Sequence, residues 1–195
     1  MIDLSQTKMP SAIMVDGVFY PIKTDFQYWL LFCKKLKNKE IESLNDCDFL
    51  YSSNKIPKDR MKGYEELLNF FKPKKELPRA VGKSTGVTVF DYIIDSPLIF
   101  AAFFEQYGID LMDESLHLHW WKFNALFDGL HDTKMNKVME YRTYDENDKQ
   151  SMESFYKEMR QAWQIEDMSD GVQKDLDDFN KLFEKKSDYI IEKEK

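Results

Sequence analysis

The 195-residue sequence contains few cysteines, glycines and prolines, and no long apolar run. Its two cysteines, Cys33 and Cys47, cannot form the disulfide framework of a small secreted protein. Both lie on predicted apolar helix faces, so we expect buried free thiols rather than a disulfide or a redox pair. The sequence lacks the ~20 consecutive apolar residues that span a bilayer, and its first ten residues do not resemble a secretory signal. We therefore expect a protein that is made and used inside a cell.

The sequence also lacks an excess of basic residues, since its formal net charge is −7. Residues 145–195 carry 9 basic and 15 acidic groups, so most of the negative charge lies in this last quarter. Phosphate contacts need lysine and arginine, which argues against nucleic-acid binding by this part of the chain. Hydrophobic residues make up 43% and aromatic residues 15%, enough for a folded core.

The N-terminal region predicts a β-hairpin followed by helices. Asp16-Gly17 separates two short apolar runs and favours a type I′ turn, in which both central residues have positive φ. The sequence Thr24-Asp25-Phe26-Gln27 fits a capping box at the start of a helix. The apolar face of this helix is predicted from 3.6-residue periodicity; it contains Phe26, Trp29, Leu30, Cys33 and Leu36.

Two further helices are predicted before a break. Residues 44–51 are expected to form a short helix, and Pro57 is expected to open a longer one. The apolar stripe of the longer helix contains Met61, Tyr64, Leu67, Leu68 and Phe71. Residues 72–89 then combine two prolines, two glycines and several lysines, which predicts a basic linker or exposed loop.

The central region predicts a pair of helices. Ser96-Pro97 is a favourable start, with serine as N-cap and proline in the first turn, and Gly108 is placed to end this helix. Its residues are apolar on nearly all sides, which predicts burial on more than one side. Asp113 or Ser115 is expected to cap the next helix, with Gly129 at its end. The core stripe of that helix contains Leu116, Trp120, Phe123, Phe127 and Leu130.

The C-terminal region predicts a short helix over 134–142 and then two amphipathic segments. The short helix should turn Met135, Val138 and Met139 inward. The first segment is defined by Met152, Phe155, Met159 and Trp163; the second is defined by Val172, Leu176, Phe179, Phe183 and Ile190. The predicted fold is a mainly α-helical bundle with a small N-terminal β-hairpin. Its predicted parts are 1–71, the linker 72–89, a helical core 90–144 and an acidic helical tail 145–195.

Two motifs suggest ligand chemistry but fit it poorly. His117-x-His119 beside Asp113 or Asp128 suggests a metal site, yet residues two apart on a helix point about 200° apart. Gly82-Lys83-Ser84-Thr85 ends like a phosphate-binding loop, but the glycine required five positions before Gly-Lys is replaced by a leucine. We favour structural or surface histidines and an ordinary loop. We therefore predict no metal, no cofactor and no catalytic residues, and expect that the protein is not an enzyme.

Two other features allow a functional interpretation beside a structural one. Residues 55–83 hold nine basic and four acidic groups near aromatic residues, which would suit nucleic acid. A solvated helix face followed by a lysine-rich loop is the favoured interpretation. Trp120 belongs to the predicted core stripe. Trp121 points about 100° away from it, and so either completes a second core face, which we favour, or anchors an interface.

The run from Phe90 to Leu130 contains a distinctive order of motif pieces, with flanking pieces over most of residues 12–145. These pieces are Phe90-Asp91-Tyr92, Asp95, Ile99, Ala101-Ala102-Phe103, Gln106-Tyr107-Gly108-Ile109-Asp110-Leu111, His119-Trp120-Trp121-Lys122-Phe123, Leu126, Gly129-Leu130, Tyr141-Arg142 and the N-terminal Thr24-Asp25-Phe26. In these pieces the chain resembles a family of bacteriophage tail proteins, the gene product fifteen family of siphophages and of prophages in Gram-positive bacteria.

The resemblance implies a tail-module protein encoded between the major tail protein and the tape measure protein. That place is typical of tail assembly chaperones, which bind the tape measure protein and recruit tail tube subunits. The alternatives are a structural tail or head-completion component retained in the virion and a nucleic-acid-binding regulator.

We expect action in the host cell cytoplasm or in the virion, with homo-oligomers possible and no membrane contact. The residues expected to bind partners are exposed members of the central helices and tail: Trp121, Trp163, Phe179 and Phe183.

Overall fold

A computed structural model of the protein describes residues 2–72, 88–144, 153–165 and 179–181. Over these residues the chain is mainly α-helical and has one small β-hairpin, as the sequence predicts. The elements are β1 (Ala12–Val15), β2 (Val18–Pro21), α1 (Phe26–Lys37), a 3-10 helix (Leu44–Leu50), α2 (Arg60–Phe71), α3 (Ser96–Tyr107), α4 (Trp120–Asp128), α5 (Lys134–Thr143) and α6 (Glu153–Trp163).

The chain divides into two compact units. The first unit is Met1–Val81 with Phe103–Leu130, and the second is Gly82–Ala102 with His131–Lys195. The predicted linker falls almost wholly on residues 73–87, which lie outside the described residues, as does the Gly82-Lys83-Ser84-Thr85 motif. The four-part division predicted from the sequence stays a prediction. None of the described helices is long and apolar enough to cross a membrane.

The hairpin has the predicted type I′ turn. Asp16 and Gly17 have φ of 50° and 78°, the left-handed values that this turn requires at both positions. Ile13 and Val15 face the core, whereas Met14 pairs with Phe19 on the exposed face. Alternation of buried and exposed side chains along β1 is the pattern of a strand with one buried face.

Helix α1 begins one residue later than a Thr24 N-cap would require. Asp25 is the N-cap, and its carboxylate accepts a hydrogen bond from the Gln27 N–H at 3.2 Å. The buried face includes Phe32 and leaves Leu30 only half-buried. The reason is the packing partner, because the rings of Phe70 and Phe71 of α2 lie against this face.

Helix α2 begins at Arg60 rather than at Pro57. The Asp59 carboxylate accepts the Lys62 N–H at 3.1 Å and so defines the N-terminus. Met61 of the predicted stripe is 37% exposed, and Phe70 is buried instead. Pro57 is buried in front of the helix, where it faces Gly63. A Cβ on Gly63 would lie 3.0 Å from the Pro57 side chain, so glycine allows this close approach.

Helix α3 has the predicted position but not the predicted burial. Its first backbone hydrogen bonds, from Leu98 and Ile99, reach the Asp95 carbonyl, and the helix begins at Ser96. A Ser96 N-cap would have placed the first helical residue one position later. Phe104 is 56% exposed, so the prediction of an apolar helix buried on more than one side is wrong at this position. Gly108 ends the helix with φ 66°, as predicted.

Helix α4 begins at Trp120, so neither Asp113 nor Ser115 caps it. Gly129 lies at its C-terminal end, as predicted. In α5, Met135 and Val138 are buried as predicted, Met139 is half-buried, and Arg142 is buried unexpectedly.

The amphipathic tail is described only in part. Its first segment is helical over Glu153–Trp163. Met152 lies outside the described residues, and so does the second segment apart from 179–181. Cys33 and Cys47 are buried free thiols, as predicted.

Candidate functional site

The four predicted partner-binding residues differ in accessibility. Trp121 in the first unit and Trp163 in the second are both half-buried. Phe179 is only 4% exposed, so its selection as an exposed residue is wrong. Phe183 lies outside the described residues. A partner could therefore touch the accessible parts of Trp121 and Trp163 directly, and their role in binding stays a prediction.

His119 is the N-cap of α4, a role that sequence reasoning missed. Its Nδ1 accepts the Trp121 backbone N–H at 3.1 Å, and its Nε2 lies 3.0 Å from the Pro10 carbonyl oxygen. Both contacts are satisfied by the neutral imidazole that carries its proton on Nε2. Burial lowers the pKa of His119, which favours this neutral form.

The segment around His119 also ties α4 to the start of α1. The Trp120 N–H donates to the Thr24 carbonyl at 2.7 Å, and the Phe26 N–H donates to the Leu118 carbonyl at 2.9 Å. Asp25 and His119 form an antiparallel bridge between these hydrogen bonds. The two family-motif pieces Thr24-Asp25-Phe26 and His119-Trp120-Trp121 are therefore direct neighbours in the fold.

His117 and His119 do not lie on a helix, so the helical spacing that was predicted to disfavour a metal site does not apply. Both histidines precede α4, which begins at Trp120. The His117 side chain is 90% exposed, and its Nδ1 lies 3.8 Å from an Asp25 carboxylate oxygen. Within the described ranges, no group of three or more His, Cys, Asp or Glu side chains is placed to hold a metal ion.

The double tryptophan hydrogen-bonds to the C-terminal end of α2. The Trp120 indole N–H donates to the Phe71 carbonyl at 2.8 Å, and the Trp121 indole N–H donates to the Phe70 carbonyl at 2.8 Å. Carbonyls in the last turn of a helix have no hydrogen-bond donor within the helix, so the two indole N–H groups act as the donors that α2 lacks. This contact explains why two adjacent tryptophans lie at this point of the motif.

Stacked rings connect this contact to the core of the first unit. Trp120 stacks on Phe71 with ring centroids 5.3 Å apart, and Trp121 stacks on Phe70 at 5.2 Å. Phe123, one turn after Trp120, stacks on Phe26 and Phe103 at 4.9 Å and 5.1 Å. The prediction that Trp120 belongs to the core is confirmed. Trp121, for which a second core face was favoured over an interface anchor, stacks on a core ring but is only half-buried.

An open recess of about 380 Å³ lies beside His119. Its lining residues are Lys23, Thr24, Asp25, Tyr28, His117 and His119. The Lys23 ammonium lies 4.4 Å from the centre of the Tyr28 ring. The lining offers hydrogen-bond donors and acceptors, with both signs of charge, to a polar segment of a partner.

A buried ion pair organises the second unit. The Arg142 guanidinium binds the Asp95 carboxylate through two hydrogen bonds, at 2.7 Å and 2.8 Å, and both side chains are only 3% exposed. Arg142 also donates to the carbonyls of Trp163 and Val89. This fork-to-carboxylate geometry is the strong form of a charge-assisted hydrogen bond.

Asp91 holds the backbone that precedes the ion pair. Its carboxylate accepts the N–H groups of Ile93 and Ile94 at 2.8 Å and 2.7 Å, while its own N–H donates to Asp95 at 2.9 Å. This cluster was not predicted from the sequence. One signal was present, because Arg142 continues the helical spacing of the buried residues Met135 and Val138.

Comparison with known proteins identifies the family to which this chain belongs. A model of the family described as Bacteriophage Gp15 protein matches residues 6–167. No curated protein and no solved structure matches the chain significantly. The matched range includes the hairpin, the double tryptophan, the Asp95–Arg142 pair and α6. Because it covers most of the 195 residues, the chain belongs to the bacteriophage Gp15 protein family.

Proposed function

We propose that this phage protein acts in tail assembly as a chaperone that binds the tape measure protein and helps to recruit tail tube subunits. Family membership is the observation that carries the proposal, since the resemblance implies a product of the tail module. The proposed role is binding without catalysis, in the cytoplasm of the host during assembly. It requires apolar surface that is accessible to a client and also held on stable elements.

The first unit has accessible apolar side chains on its hairpin and on α1. Met14 and Phe19 are 55% and 65% exposed and pair across the hairpin, and Leu31 of α1 is 40% exposed. Large apolar side chains on the surface are candidates for contact with other proteins when they lie together. The Met14–Phe19 pair meets that condition, because cross-strand partners are direct neighbours.

The second unit has an aromatic group where α5 meets α6. Tyr141 contacts Phe155 and Tyr156 with ring centroids 6.1 Å and 5.8 Å apart, and Phe155 remains 39% exposed. Near the end of α6, the Trp163 ring lies 5.0 Å from the Lys134 ammonium of α5. Phe155, Met159 and Trp163 recur every four residues, so they form one stripe of α6. A helical segment of an apolar client would suit the accessible part of this stripe.

Co-expression with the tape measure protein of the same phage tests the proposal. We expect the soluble fraction of the tape measure protein to rise when the wild-type chain is present. The double variant F155A/W163A should lose most of this effect, because it removes both aromatic rings of the Phe155–Met159–Trp163 stripe of α6. The matched control E158A/Q161A changes two exposed polar residues of the same helix and should retain it. Circular dichroism checks that both variants remain folded.

Three results would contradict the proposal at different levels. Unchanged tape measure solubility with the wild-type chain would exclude the chaperone role. A full effect with F155A/W163A would exclude the α6 surface but not the role itself. Detection of the protein at fixed stoichiometry in purified virions, by mass spectrometry, would favour the structural component over a chaperone.

A further inference from the structure

The register of the hairpin determines which backbone groups of β1 point away from β2. Val15 pairs with Val18 next to the two-residue turn, and the Ile22 N–H donates to the Ser11 carbonyl at 3.0 Å. Hydrogen-bonded and non-hydrogen-bonded pairs alternate along an antiparallel ladder. The N–H and C=O groups of Ala12 and Met14 therefore point outward from β1.

The outer edge of β2 is covered by other parts of the first unit. The Pro21 carbonyl accepts the Ser52 N–H at 3.0 Å, and the Phe19 carbonyl lies 3.3 Å from the Lys55 ammonium. Proline also removes one backbone donor from this edge. Proline, lysine and a covering segment are the usual means by which proteins protect an edge strand.

Helix α2 packs against β1, but within the described residues no segment hydrogen-bonds to the outer edge of this strand. The sequence Ala12–Val15 contains no charged residue and no proline. Among the described residues, the outward N–H and C=O groups of Ala12 and Met14 have no hydrogen-bond partner. Met14 itself is 55% exposed. An unprotected edge of this kind is a template for another extended strand.

We propose that this edge pairs with the same edge of a second copy of the chain, through antiparallel β1–β1 contact centred on Ile13. In this register Ala12 of each copy lies opposite Met14 of the other. Both residues have outward backbone groups, so each pair forms two hydrogen bonds and the interface has four. The two hairpins then form one four-stranded sheet. This surface does not depend on the proposed chaperone role.

The charges beside β1 favour a second copy in the antiparallel direction. Lys8 is the nearest charged residue before the strand, and Asp16 is the nearest one after it. Asp16 already lies 2.7 Å from the Lys62 ammonium of its own chain, through one carboxylate oxygen, but its side chain stays 62% exposed. Antiparallel pairing brings Lys8 of each copy towards Asp16 of the other, whereas parallel pairing would bring like charges together. The uncharged strand between them causes no repulsion at the centre. One copy of the chain therefore has both the positive and the negative charge that an antiparallel contact with a second copy requires.

Cysteine crosslinking tests the register. In the proposed dimer, Cα atoms of residues 12 and 14 in opposite copies lie about 5.5 Å apart, within the range of a disulfide. A mixture of A12C and M14C chains should form disulfide-linked dimers under mild oxidation, visible on a non-reducing gel. Each variant alone should form few, because its two cysteines would lie roughly 8–9 Å apart. The native thiols Cys33 and Cys47 are buried and give a low background.

Proline substitution tests the backbone hydrogen bonds. M14P removes an N–H that points to the edge and leaves the β1–β2 ladder intact, while M14A removes the side chain and keeps this N–H. Two hydrogen bonds are lost per dimer, so M14P should raise the dimer Kd about tenfold or more relative to M14A. Analytical ultracentrifugation over a concentration series measures the Kd.

The crosslinking and ultracentrifugation results either support the β1–β1 dimer or overturn it. Crosslinks in the mixture together with a weaker M14P dimer support the proposal. Equal crosslinking by M14C alone would overturn the register. The proposal itself would be overturned by a wild-type chain that stays monomeric at all concentrations, or by equal dimer affinity for M14P and M14A. In the monomeric case, the edge would be left to pair with a strand of a different protein.

Discussion

The two compact units differ in what fills their interiors. The first unit is built on stacked rings, with Trp29, Trp120 and Phe123 almost completely buried. The second unit surrounds a salt bridge, because Asp95 and Arg142 are each only 3% exposed. Apolar packing tolerates a change of shape better than a buried charge tolerates the loss of its partner. The comparison teaches that family-motif residues of both units are structural, yet they should respond very differently to substitution.

The largest effect is expected from breaking the buried pair of the second unit. R142M leaves the Asp95 carboxylate buried without its cation, and it also removes donors to the carbonyls of Val89 and Trp163. We expect the free energy of unfolding to fall by about 3–5 kcal/mol. Urea unfolding followed by circular dichroism measures this change.

A double-mutant cycle provides the control for this prediction. D95N removes the charge but keeps an acceptor for the Asp91 N–H, and R142M/D95N removes both charges. The double variant should lose at least ~2 kcal/mol less than the sum of the two single variants. Additive losses would show that the pair is not coupled, and the contrast between the two units would then disappear.

A smaller effect is expected from the double tryptophan of the first unit. W120F keeps an aromatic ring but leaves the Phe71 carbonyl without its buried donor, so we expect a loss of about 2–3 kcal/mol. W121F should lose only about 1 kcal/mol, because water can reach the half-buried Phe70 contact. Equal losses would contradict the distinction between a core tryptophan and an accessible one. Urea unfolding again gives both values.

The pH dependence of the first unit should be traceable to His119. Burial lowers its pKa in the folded state from the ordinary 6.5, while the unfolded state keeps the ordinary value. Lys122 also lowers it, whereas the Pro10 contact and Asp25 act in the opposite direction. The unfolded state therefore binds the proton more readily. The stability that neutral His119 contributes to the folded state is fully present above pH 6.5, and it is lost as the pH falls through the folded-state pKa.

Protonation removes the acceptor that caps α4, so the free energy of unfolding should fall between pH 7.5 and 5.5, by no more than the ~1 kcal/mol typical of an N-cap. Unfolding curves at several pH values measure it. H119N keeps a capping side chain without the titration and should flatten the profile. H117Q is the matched control, because His117 is almost fully exposed, and it should leave the profile unchanged. A flat wild-type profile would contradict the role of His119.

The smallest effect is expected at the surface of the first unit. The Lys62 ammonium lies 2.7 Å from the Asp16 carboxylate, but both side chains are more than half exposed. K62M should change the free energy of unfolding by less than about 0.5 kcal/mol. A loss comparable to that of R142M would show that burial is not what separates the two ion pairs.

Helix positions and the hairpin were predictable because they depend on local signals. Asp16-Gly17 determines its own turn, and Gly108 ends α3 wherever that helix packs. Helix starts were less predictable: α4 is capped by His119, which is an uncommon N-cap residue and was read as part of a possible metal motif. Its capping geometry depends on Pro10, more than a hundred residues earlier in the chain.

Sequence periodicity could not predict which apolar side chains are buried, or which distant residues form an ion pair. Phe32 and Phe70 are buried because they meet each other's helices, whereas Phe104 on the equally apolar α3 remains 56% exposed. The Asp95–Arg142 pair joins residues 47 positions apart, and no local pattern identifies such a partner. The candidate site was therefore located through the motif, while its hydrogen bonds became visible only in the structure.

The contact between the double tryptophan and α2 has a consequence for synthesis on the ribosome. The donors to the Phe71 and Phe70 carbonyls lie 49 and 51 residues further along the chain. At about 5–20 residues per second, α2 emerges several seconds before these indoles exist. During that interval the last turn of α2 lacks both indole donors, and the rings of Phe70 and Phe71 can pack only on α1. We expect the nascent chain to expose the Trp120- and Trp121-facing sides of these two rings until Trp121 has left the exit tunnel.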